Sequence, residues 1–214
     1  MRIAIATLGC KVNQSESASI EGILREKGYE IVPYTDPAIG GADVYVINTC
    51  TVTAKSDYQS RQLIRRAIKS GAKVIATGCY AQLRHEELSG IEGLTLIIGN
   101  SQKENLHEYL KSVTFALSKT SRCWNVNSDR PSIVVDSPET PLTLNPYSSD
   151  RSRAFLKVQD GCNFSCSYCS IPLARGRSRS LNLKDTLEAI DRLSNAGYRE
   201  IVLTGIHLGS YGLA

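Results

Sequence analysis

Three cysteines lie in the stretch Asp160-Gly161-Cys162-Asn163-Phe164-Ser165-Cys166-Ser167-Tyr168-Cys169, at the spacing C-x3-C-x2-C. The stretch follows an apolar run, residues 154–158, that is typical of a β-strand. Thiolates are soft ligands, and three so close in sequence can bind one metal centre. A zinc site or a closed iron–sulfur cube needs four protein ligands, so three thiolates leave one iron of a cube open. The loop is therefore predicted to be a site of chemistry.

The spacing, with Tyr168 just before the third cysteine, resembles the signature of the radical S-adenosylmethionine (radical SAM) superfamily. The resemblance implies that Cys162, Cys166 and Cys169 hold a [4Fe-4S] cluster whose open iron binds S-adenosylmethionine. An electron from the cluster then splits the cofactor into methionine and a 5′-deoxyadenosyl radical, while the protein supplies position and electronics. Two alternatives stay open: a zinc or closed-cluster site that recruits a distant ligand such as His207, and buried, inert thiols.

The composition is that of an ordinary folded protein. The chain has 214 residues, 42% hydrophobic and 21% charged, which suits one large or two small domains. Its net charge of +4 permits a nucleic-acid partner without requiring one. Neither a signal peptide nor an apolar stretch near the roughly 18 residues of a membrane span is present, so we expect a cytoplasmic protein with no membrane partner. In such a compartment, cysteines are interpreted as metal ligands rather than disulfides, and the chain has seven of them.

Residues 1–112 alternate apolar runs with amphipathic segments, which predicts an α/β domain with a flavodoxin-like parallel sheet. Asn13-Gln14-Ser15-Glu16 has the pattern of a capping box and is predicted to open the first helix, which should stop at Gly28. Strands are expected at residues 2–8, 29–34, 43–48, 72–77 and 94–98, and later helices at about 54–70, 81–88 and 102–111.

Three further cysteines follow predicted strands of this domain. Cys10 follows the first strand, Cys50 the third and Cys79 the fourth. In a flavodoxin-like order, 2-1-3-4-5, these strands are neighbours, and their carboxyl ends open where such sheets bind ligands. Gly9 and Gly78 let the backbone approach a bulky cluster. We therefore predict a second cluster at this edge; burial of three small apolar thiols is the alternative.

The motifs around these cysteines resemble those of the methylthiotransferase family. They read Leu8-Gly9-Cys10-Lys11-Val12-Asn13-Gln14, Asn48-Thr49-Cys50-Thr51-Val52 and Gly78-Cys79-Tyr80-Ala81-Gln82. The resemblance implies a second [4Fe-4S] cluster on Cys10, Cys50 and Cys79, whose open iron holds the sulfur to be methylated and inserted. The first motif is closest to the branch that modifies N6-threonylcarbamoyladenosine beside the tRNA anticodon. In the two other branches of the family, which modify isopentenyladenosine in tRNA or an aspartate of a ribosomal protein, the sequence of this first motif is different.

Residues 113–150 are predicted to be a linker, because polar residues and four prolines interrupt any long element, with room for one short strand at 132–135. Cys123 is interpreted as structural or incidental, and Trp124 as a packing residue. From 151 to 214 the order is strand, cysteine loop, helix and strand, the first β/α units of a radical SAM partial (β/α) barrel. Two strands are too few for that barrel, so a truncated domain is expected.

Two sets of residues in this second domain are candidates for binding. Arginines after the cysteine loop are predicted to bind substrate, because guanidinium groups suit carboxylates and phosphates; a solvated basic loop is the alternative. They are Arg175, Arg177 and Arg179. The resemblance implies contacts with S-adenosylmethionine for a second set: Tyr168, Thr204 and Gly205. His207 is interpreted either as a general base or metal ligand, or as an ordinary loop histidine.

The resemblance implies an enzyme, a radical SAM methylthiotransferase that adds CH3–S to C2 of N6-threonylcarbamoyladenosine at position 37 of tRNA. Its cofactors would be two [4Fe-4S] clusters and S-adenosylmethionine; its partners would be tRNA, a flavodoxin- or ferredoxin-like electron donor and a sulfur donor. No side chain is nominated as catalytic, because the radical activates the C–H bond. A basic stripe at Arg61, Arg65 and Lys69 fits a tRNA phosphate contact or a solvated helix face. A non-catalytic iron–sulfur or zinc module is the alternative of another class.

Overall fold

The structure, a computed structural model, describes residues 1–35, 41–115, 130–138, 142 and 152–213. Cys123, Trp124 and most of the predicted linker lie outside the described residues. In chain order, the first domain contains β1 (Arg2–Thr7), α1 (Lys11–Glu26), β2 (Glu30–Val32), β3 (Val44–Thr49), α2 (Ala54–Lys69), β4 (Lys73–Gly78), α3 (Cys79–Leu83), α4 (His85–Ser89), β5 (Leu96–Ile98), a 3-10 helix (Asn100–Asn105), α5 (Leu106–Phe115) and β6 (Ser132–Val134).

The sheet of the first domain has the order β2-β1-β3-β4-β5-β6, and all of its strand pairs are parallel. This confirms the predicted flavodoxin-like order. β3 lies inside the sheet and is buried along its whole length. Its residues alternate between two cores, with Tyr45 and Ile47 on one face and Val44 and Val46 on the other. Burial on both faces is what parallel sheets with crossover helices require.

Strand β6 extends the sheet beyond the five predicted strands. It lies within residues 113–150, the predicted linker, and pairs with β5 from Leu96↔Ser132 to Ile98↔Val134. Ile133 is 45% exposed, as expected for a strand at the edge of a sheet. Part of that segment therefore belongs to the first domain.

The start of α1 differs from its prediction. The residue that caps the helix is Cys10, and no side chain caps the first turn. Asn13 and Glu16 lie inside the helix and are buried. The capping-box prediction is wrong, because both side chains are used in contacts with distant parts of the chain. The predicted stop is confirmed: Gly28, with φ +83°, follows the last turn.

The second domain contains β7 (Arg153–Lys157), β8 (Gln159–Asp160), α6 (Ile171–Arg175), β9 (Arg179–Ser180), α7 (Leu183–Asn195), β10 (Glu200–Thr204) and a 3-10 helix (Leu208–Ser210). β7 and β10 are parallel, as the predicted β/α unit requires, and α7 is capped by the Asn182 side chain. β8 and β9 form a short antiparallel ladder beside the cysteine loop.

The two domains are in direct contact. α1 lies against β7, and α3 lies against α6. These contacts bring the carboxyl edge of the first sheet next to the segment that contains the cysteine loop. None of the helices in the described ranges is both long enough and apolar enough to cross a membrane.

Candidate metal centres

The three cysteines of the first domain lie at one edge of the sheet. Cys10 immediately precedes α1, Cys50 follows β3, and Cys79 is the first residue of α3, directly after β4. Because β1, β3 and β4 are parallel neighbours, the three positions share the carboxyl edge. Cys10 also sits immediately before the first turn of a long helix.

Two glycines bring the backbone close to these cysteines. Gly9 has a φ of +93°, and a Cβ atom on it would lie 2.6 Å from the Cys50 Sγ. Gly78 has a φ of +100°, and a Cβ atom on it would overlap the backbone of Thr49. Both positions need glycine for the φ value and for the space. Thiols next to backbone that carries no side chain form a site that suits a thiolate-bound inorganic cluster.

Buried polar side chains fix the loops of this edge. The Asn13 amide nitrogen donates to the carbonyl oxygens of Leu8 (2.8 Å) and Thr49 (3.0 Å). Asn48 donates to the Asn13 carbonyl at 3.0 Å, and the Thr49 hydroxyl donates to the Thr77 carbonyl at 2.5 Å. Leaving such buried groups unpaired would be costly, so these bonds hold the ends of β1, β3 and β4 in one arrangement.

The metal-free edge favours a protonated thiol at Cys50. Burial raises the pKa of the Cys50 thiol, and the neighbouring Cys79 and Cys10 thiols raise it further. A bound metal would reverse this effect, because it stabilises the thiolate. Among the residues that the structure describes, no three His, Cys, Asp or Glu side chains are grouped so as to hold a metal ion. The fit therefore depends on the donor type, the shared edge and the two glycines, and the ligand role of these cysteines stays a prediction.

The second cysteine group lies in the loop between β8 and α6. Cys162 and Cys169 are half-buried, and Cys166 is exposed. The Cys162 amide donates to the Gly176 carbonyl at 3.1 Å, and the Cys169 amide donates to the Cys166 carbonyl at 3.0 Å. Soft donors on one short surface loop fit a cluster with an open coordination position. Their ligand role also stays a prediction.

Gln159, a residue that the sequence analysis did not single out, connects the cysteine loop to the end of β10. It is fully buried, its amide nitrogen donates to the Gly161 carbonyl at 2.8 Å, and its amide oxygen accepts from the His207 amide at 2.7 Å. A Cβ atom on Gly205 would lie 2.8 Å from that oxygen, and the preceding Thr204 is buried. Two of the three predicted cofactor contacts therefore adjoin the cysteine loop.

Two aromatic side chains of the cysteine loop, Phe164 and Tyr168, are exposed. Tyr168, the third predicted cofactor contact, is 89% exposed. Phe164 meets the His207 ring edge-to-face, with ring centroids 5.2 Å apart, and His207 Nδ1 also contacts the Ser210 hydroxyl. These contacts favour the interpretation of His207 as a loop histidine held by its neighbours.

A buried group of charged side chains joins the two domains. The Glu16 carboxylate pairs with Arg175 at 2.8 Å, Lys157 at 3.0 Å and Lys103 at 2.5 Å. Arg175 also pairs with Asp160 at 3.1 Å. Glu16 and Lys103 come from the first domain and the other three from the second, so we call these five residues the interdomain ion network.

Both carboxylates of the interdomain ion network are held in the ionised state. Burial by itself would raise the pKa of Glu16, but the charges of Arg175, Lys103 and Lys157 hold it well below its ordinary value. Burial opposes ionisation of Asp160 in the same way, and Arg175 and Lys157 lower its pKa. Removing one member would leave a buried charge without its partner.

The three arginines that are predicted to bind substrate differ in their burial and in their contacts. Arg175 is 1% exposed and belongs to the interdomain ion network, so we replace its predicted role by a structural one. Arg179 is partly buried and donates to the carbonyls of Arg175 (2.8 Å) and Arg177 (2.9 Å). Arg177 is exposed. For Arg177 and Arg179, substrate binding stays a prediction.

The interdomain ion network was not predicted, although the sequence carries one signal for it. Glu16 lies on the buried stripe of α1, in steps of four residues with Val12, Ile20 and Leu24. A carboxylate on such a stripe needs a charged partner, because burying an unpaired charge is expensive. The sequence does not show which residue pairs with Glu16, because its partner Arg175 is 159 residues further along the chain.

Two family profiles match the chain. Residues 2–99 match the family described as "Uncharacterized protein family UPF0004", and residues 156–208 match the radical SAM superfamily. The first range contains the three strand-end cysteines and the second contains the cysteine loop. The chain therefore combines a parallel α/β domain with a segment that matches the radical SAM superfamily. The superfamily match implies an iron–sulfur cluster and S-adenosylmethionine for the second domain.

Named relatives from three organisms are similar to this chain over nearly its whole length. Proteins named "Threonylcarbamoyladenosine tRNA methylthiotransferase MtaB" are 40% identical over 212 residues in Bacillus subtilis, 38% over 214 in Aquifex aeolicus and 34% over 215 in Thermotoga maritima. The alignments cover 98–99% of this chain and 44%, 49% and 45% of the relatives, so the chain spans about half of their length. Nearly the whole chain is therefore similar to about half of each of these methylthiotransferases.

Proposed function

We propose that the chain carries both metal centres of a radical SAM methylthiotransferase that adds a methylthio group to C2 of N6-threonylcarbamoyladenosine at position 37 of tRNA. The observation that carries the proposal is the pair of cysteine groups, one at the sheet edge and one in the loop before α6. Relatives at 34–40% identity, named for this nucleoside, support the choice of substrate.

In this proposal each cysteine group has its own task. The loop group holds the [4Fe-4S] cluster that binds S-adenosylmethionine, and the edge group holds a second [4Fe-4S] cluster that presents sulfur. When bound, these groups supply the radical and sulfur chemistry that an unreactive aromatic C–H bond requires. The protein provides thiolates, orients the cofactor with the strand end at Thr204 and Gly205, and excludes water from Cys50 and Cys79, which are buried.

The proposed partners are tRNA, a flavodoxin- or ferredoxin-like electron donor and a sulfur donor, all in the cytoplasm. Helix α2 supports the choice of tRNA, because Arg65, Arg66 and Lys69 are exposed near its carboxyl end. Arg61, one turn before Arg65, instead pairs with Glu87 at 2.8 Å.

Anaerobic reconstitution with iron and sulfide tests the two centres. We expect about eight irons per chain, with broad absorbance near roughly 400 nm. Cys50→Ala and Cys166→Ala should each retain about four irons, and Cys123→Ala, the matched control, should retain about eight. Stoichiometric zinc without visible absorbance would instead support a non-catalytic binding module.

Mass spectrometry of tRNA tests the substrate. In cells that lack the gene, the methylthio form of threonylcarbamoyladenosine should disappear and its unmodified precursor should accumulate. The wild-type gene should restore the modification, and Cys166→Ala should not. Loss of the methylthio form of isopentenyladenosine, or of a methylthio-aspartate in a ribosomal protein, would assign the chain to another branch of the family.

A further inference from the structure

We propose that Arg175, with Glu16 and Asp160, positions the two cysteine sites relative to each other, an inference that rests on the two-centre function proposed above. Arg175 is buried at the contact between the domains, and its hydrogen bonds lead to the backbone next to both cysteine groups. We describe these three as positioning residues, because they act through the cysteine-bearing loops.

The first path leads from Arg175 to the sheet edge. Arg175 Nη2 donates to the Asn13 side-chain oxygen at 2.5 Å. The Asn13 nitrogen in turn donates to the carbonyls of Leu8 and Thr49. Leu8 lies two residues before the first edge cysteine, and Thr49 lies immediately before the second. One guanidinium therefore fixes two of the three edge loops through a single amide side chain.

The third edge cysteine is reached through the residue before Arg175. The Asn100 side-chain nitrogen donates to the Ala174 carbonyl at 2.6 Å and to the Cys79 Sγ at 3.8 Å. α6 thus contacts the edge site through its backbone while Arg175 contacts it through its side chain. A shift of α6 would disturb both contacts together.

The second path leads from Arg175 to the cysteine loop. Arg175 Nη1 donates to the Asp160 carboxylate at 3.1 Å, and the same carboxylate accepts from the Gly161 amide at 2.8 Å. Gly176, the residue after Arg175, accepts from the Cys162 amide at 3.1 Å. The start of the cysteine loop is therefore fixed from two sides by the segment that also binds the sheet edge.

The charge of the interdomain ion network suits an anionic neighbour. Within the described residues, its three cations, Arg175, Lys103 and Lys157, outnumber its two carboxylates. Burial lowers the pKa of Arg175, but the nearby Cys79 thiol and the two carboxylates together raise it well above its ordinary value. A thiolate-ligated centre at the edge would therefore sit beside positive charge that favours its ligands.

Electron paramagnetic resonance of the reconstituted, dithionite-reduced chain tests the proposal. Cys50→Ala and Cys166→Ala, each with one cluster, supply the reference spectra of isolated centres. We expect the wild-type spectrum to differ from their sum, because two paramagnetic clusters held close together interact. Arg175→Met with full iron loading should give the simple sum, and Arg175→Lys should lie between. The control, Arg192→Met, removes an exposed ion pair with Glu188 and should match the wild type.

A second readout uses the metal-free chain. In Arg175→Lys, amide hydrogen exchange at Gly161, Cys162 and the start of α1 should be at least about tenfold faster than in the wild type, with no such change in Arg192→Met. This readout decides the matter if Arg175→Met does not load iron. A fully loaded Arg175→Met with the wild-type spectrum, or unchanged exchange in Arg175→Lys, would overturn the proposal. Four or fewer irons in the wild type would instead refute the two-centre function, and exchange would still test the positioning.

Discussion

Arg175 is the single side chain whose loss should destabilise the chain most among the charged residues discussed. Its replacement by Met leaves Glu16 and Asp160 buried with fewer cationic partners, so we expect the free energy of unfolding to fall by about 3–5 kcal/mol. Urea unfolding of the metal-free chain measures this. Arg192→Met removes an exposed pair on α7 and should cost about 0.5 kcal/mol or less. Equal losses in both variants would contradict the buried pairing.

Glu16 should make stability depend on pH in the acid range. Its pKa in the folded chain lies below the value of roughly 4.3 typical of unfolded chains. Its contribution is therefore fully present above that value and is lost as the pH falls through the folded pKa. Urea unfolding between pH 7 and about 3 should show a shallower decline in Glu16→Gln than in the wild type. If stability declined equally steeply with falling pH in both proteins, Glu16 would not be the group responsible. The charged groups that face Glu16 are Arg175, Lys103, Lys157 and, beyond them, Asp160.

At this scale, the sequence reveals donor types better than partners. The spacing of Cys162, Cys166 and Cys169 is local, so it was readable directly. Glu16 and Arg175 are buried because they pair with each other. No local sequence pattern predicts this contact, since the two residues are 159 positions apart. The sequence predicts that Arg175 binds substrate, or else lies in a solvated basic loop, because charged residues are usually exposed; a buried ion pair overrides that rule.

At the scale of elements, the close passage of β4 past β3 is the feature most sensitive to substitution. Gly78→Ala would place a Cβ atom on the Thr49 backbone at a positive φ, so we expect a loss of about 3 kcal/mol or more and a loss of the edge cluster. Gly71→Ala has a similar φ of +80° with open space around it and should cost only about 1 kcal/mol. Urea unfolding and iron content measure both. Similar stability and iron content in the two variants would contradict the packing described for Gly78.

The order of the strands was predictable because alternation of strands and helices leaves few topologies. The edge strand β6 was harder to assign, since three residues among prolines and polar residues carry little periodicity. The helix predicted at 81–88 is two short helices, separated at Arg84, whose φ of −127° is not helical. Apolar periodicity locates such a segment but does not show where its backbone bends.

At the scale of the whole molecule, the exposed basic residues of α2 should contribute to tRNA binding. Replacing Arg65 and Arg66 together by Gln should weaken tRNA binding several-fold and reduce the salt dependence of log K by about two. Fluorescence anisotropy across a salt series measures both. Arg153 and Arg192, in exposed ion pairs of the second domain, replaced together by Gln, change the net charge equally and should have little effect. An equal loss in both double variants would favour a solvated face for α2.

The change in composition after residue 112 predicts two domains, but it does not predict the contact between them. That contact depends on charged side chains from α1, α6 and β7, each of which reads separately as an ordinary polar position. The candidate cofactor contacts, Thr204 and Gly205, follow from the family resemblance, whereas the role of Gln159 depends on contacts that no local sequence pattern shows.

The contact among Glu16, Asp160 and Arg175 also constrains how the sequence can diverge. Replacing any one of these residues leaves the buried charge of another without its partner. Substitutions at these positions should therefore be tolerated only when the partner residue changes as well. In an alignment of many orthologues, columns 16 and 175 should therefore covary more strongly than either does with exposed columns such as 192, and lineages that lose the acid at 16 should also lose the base at 175.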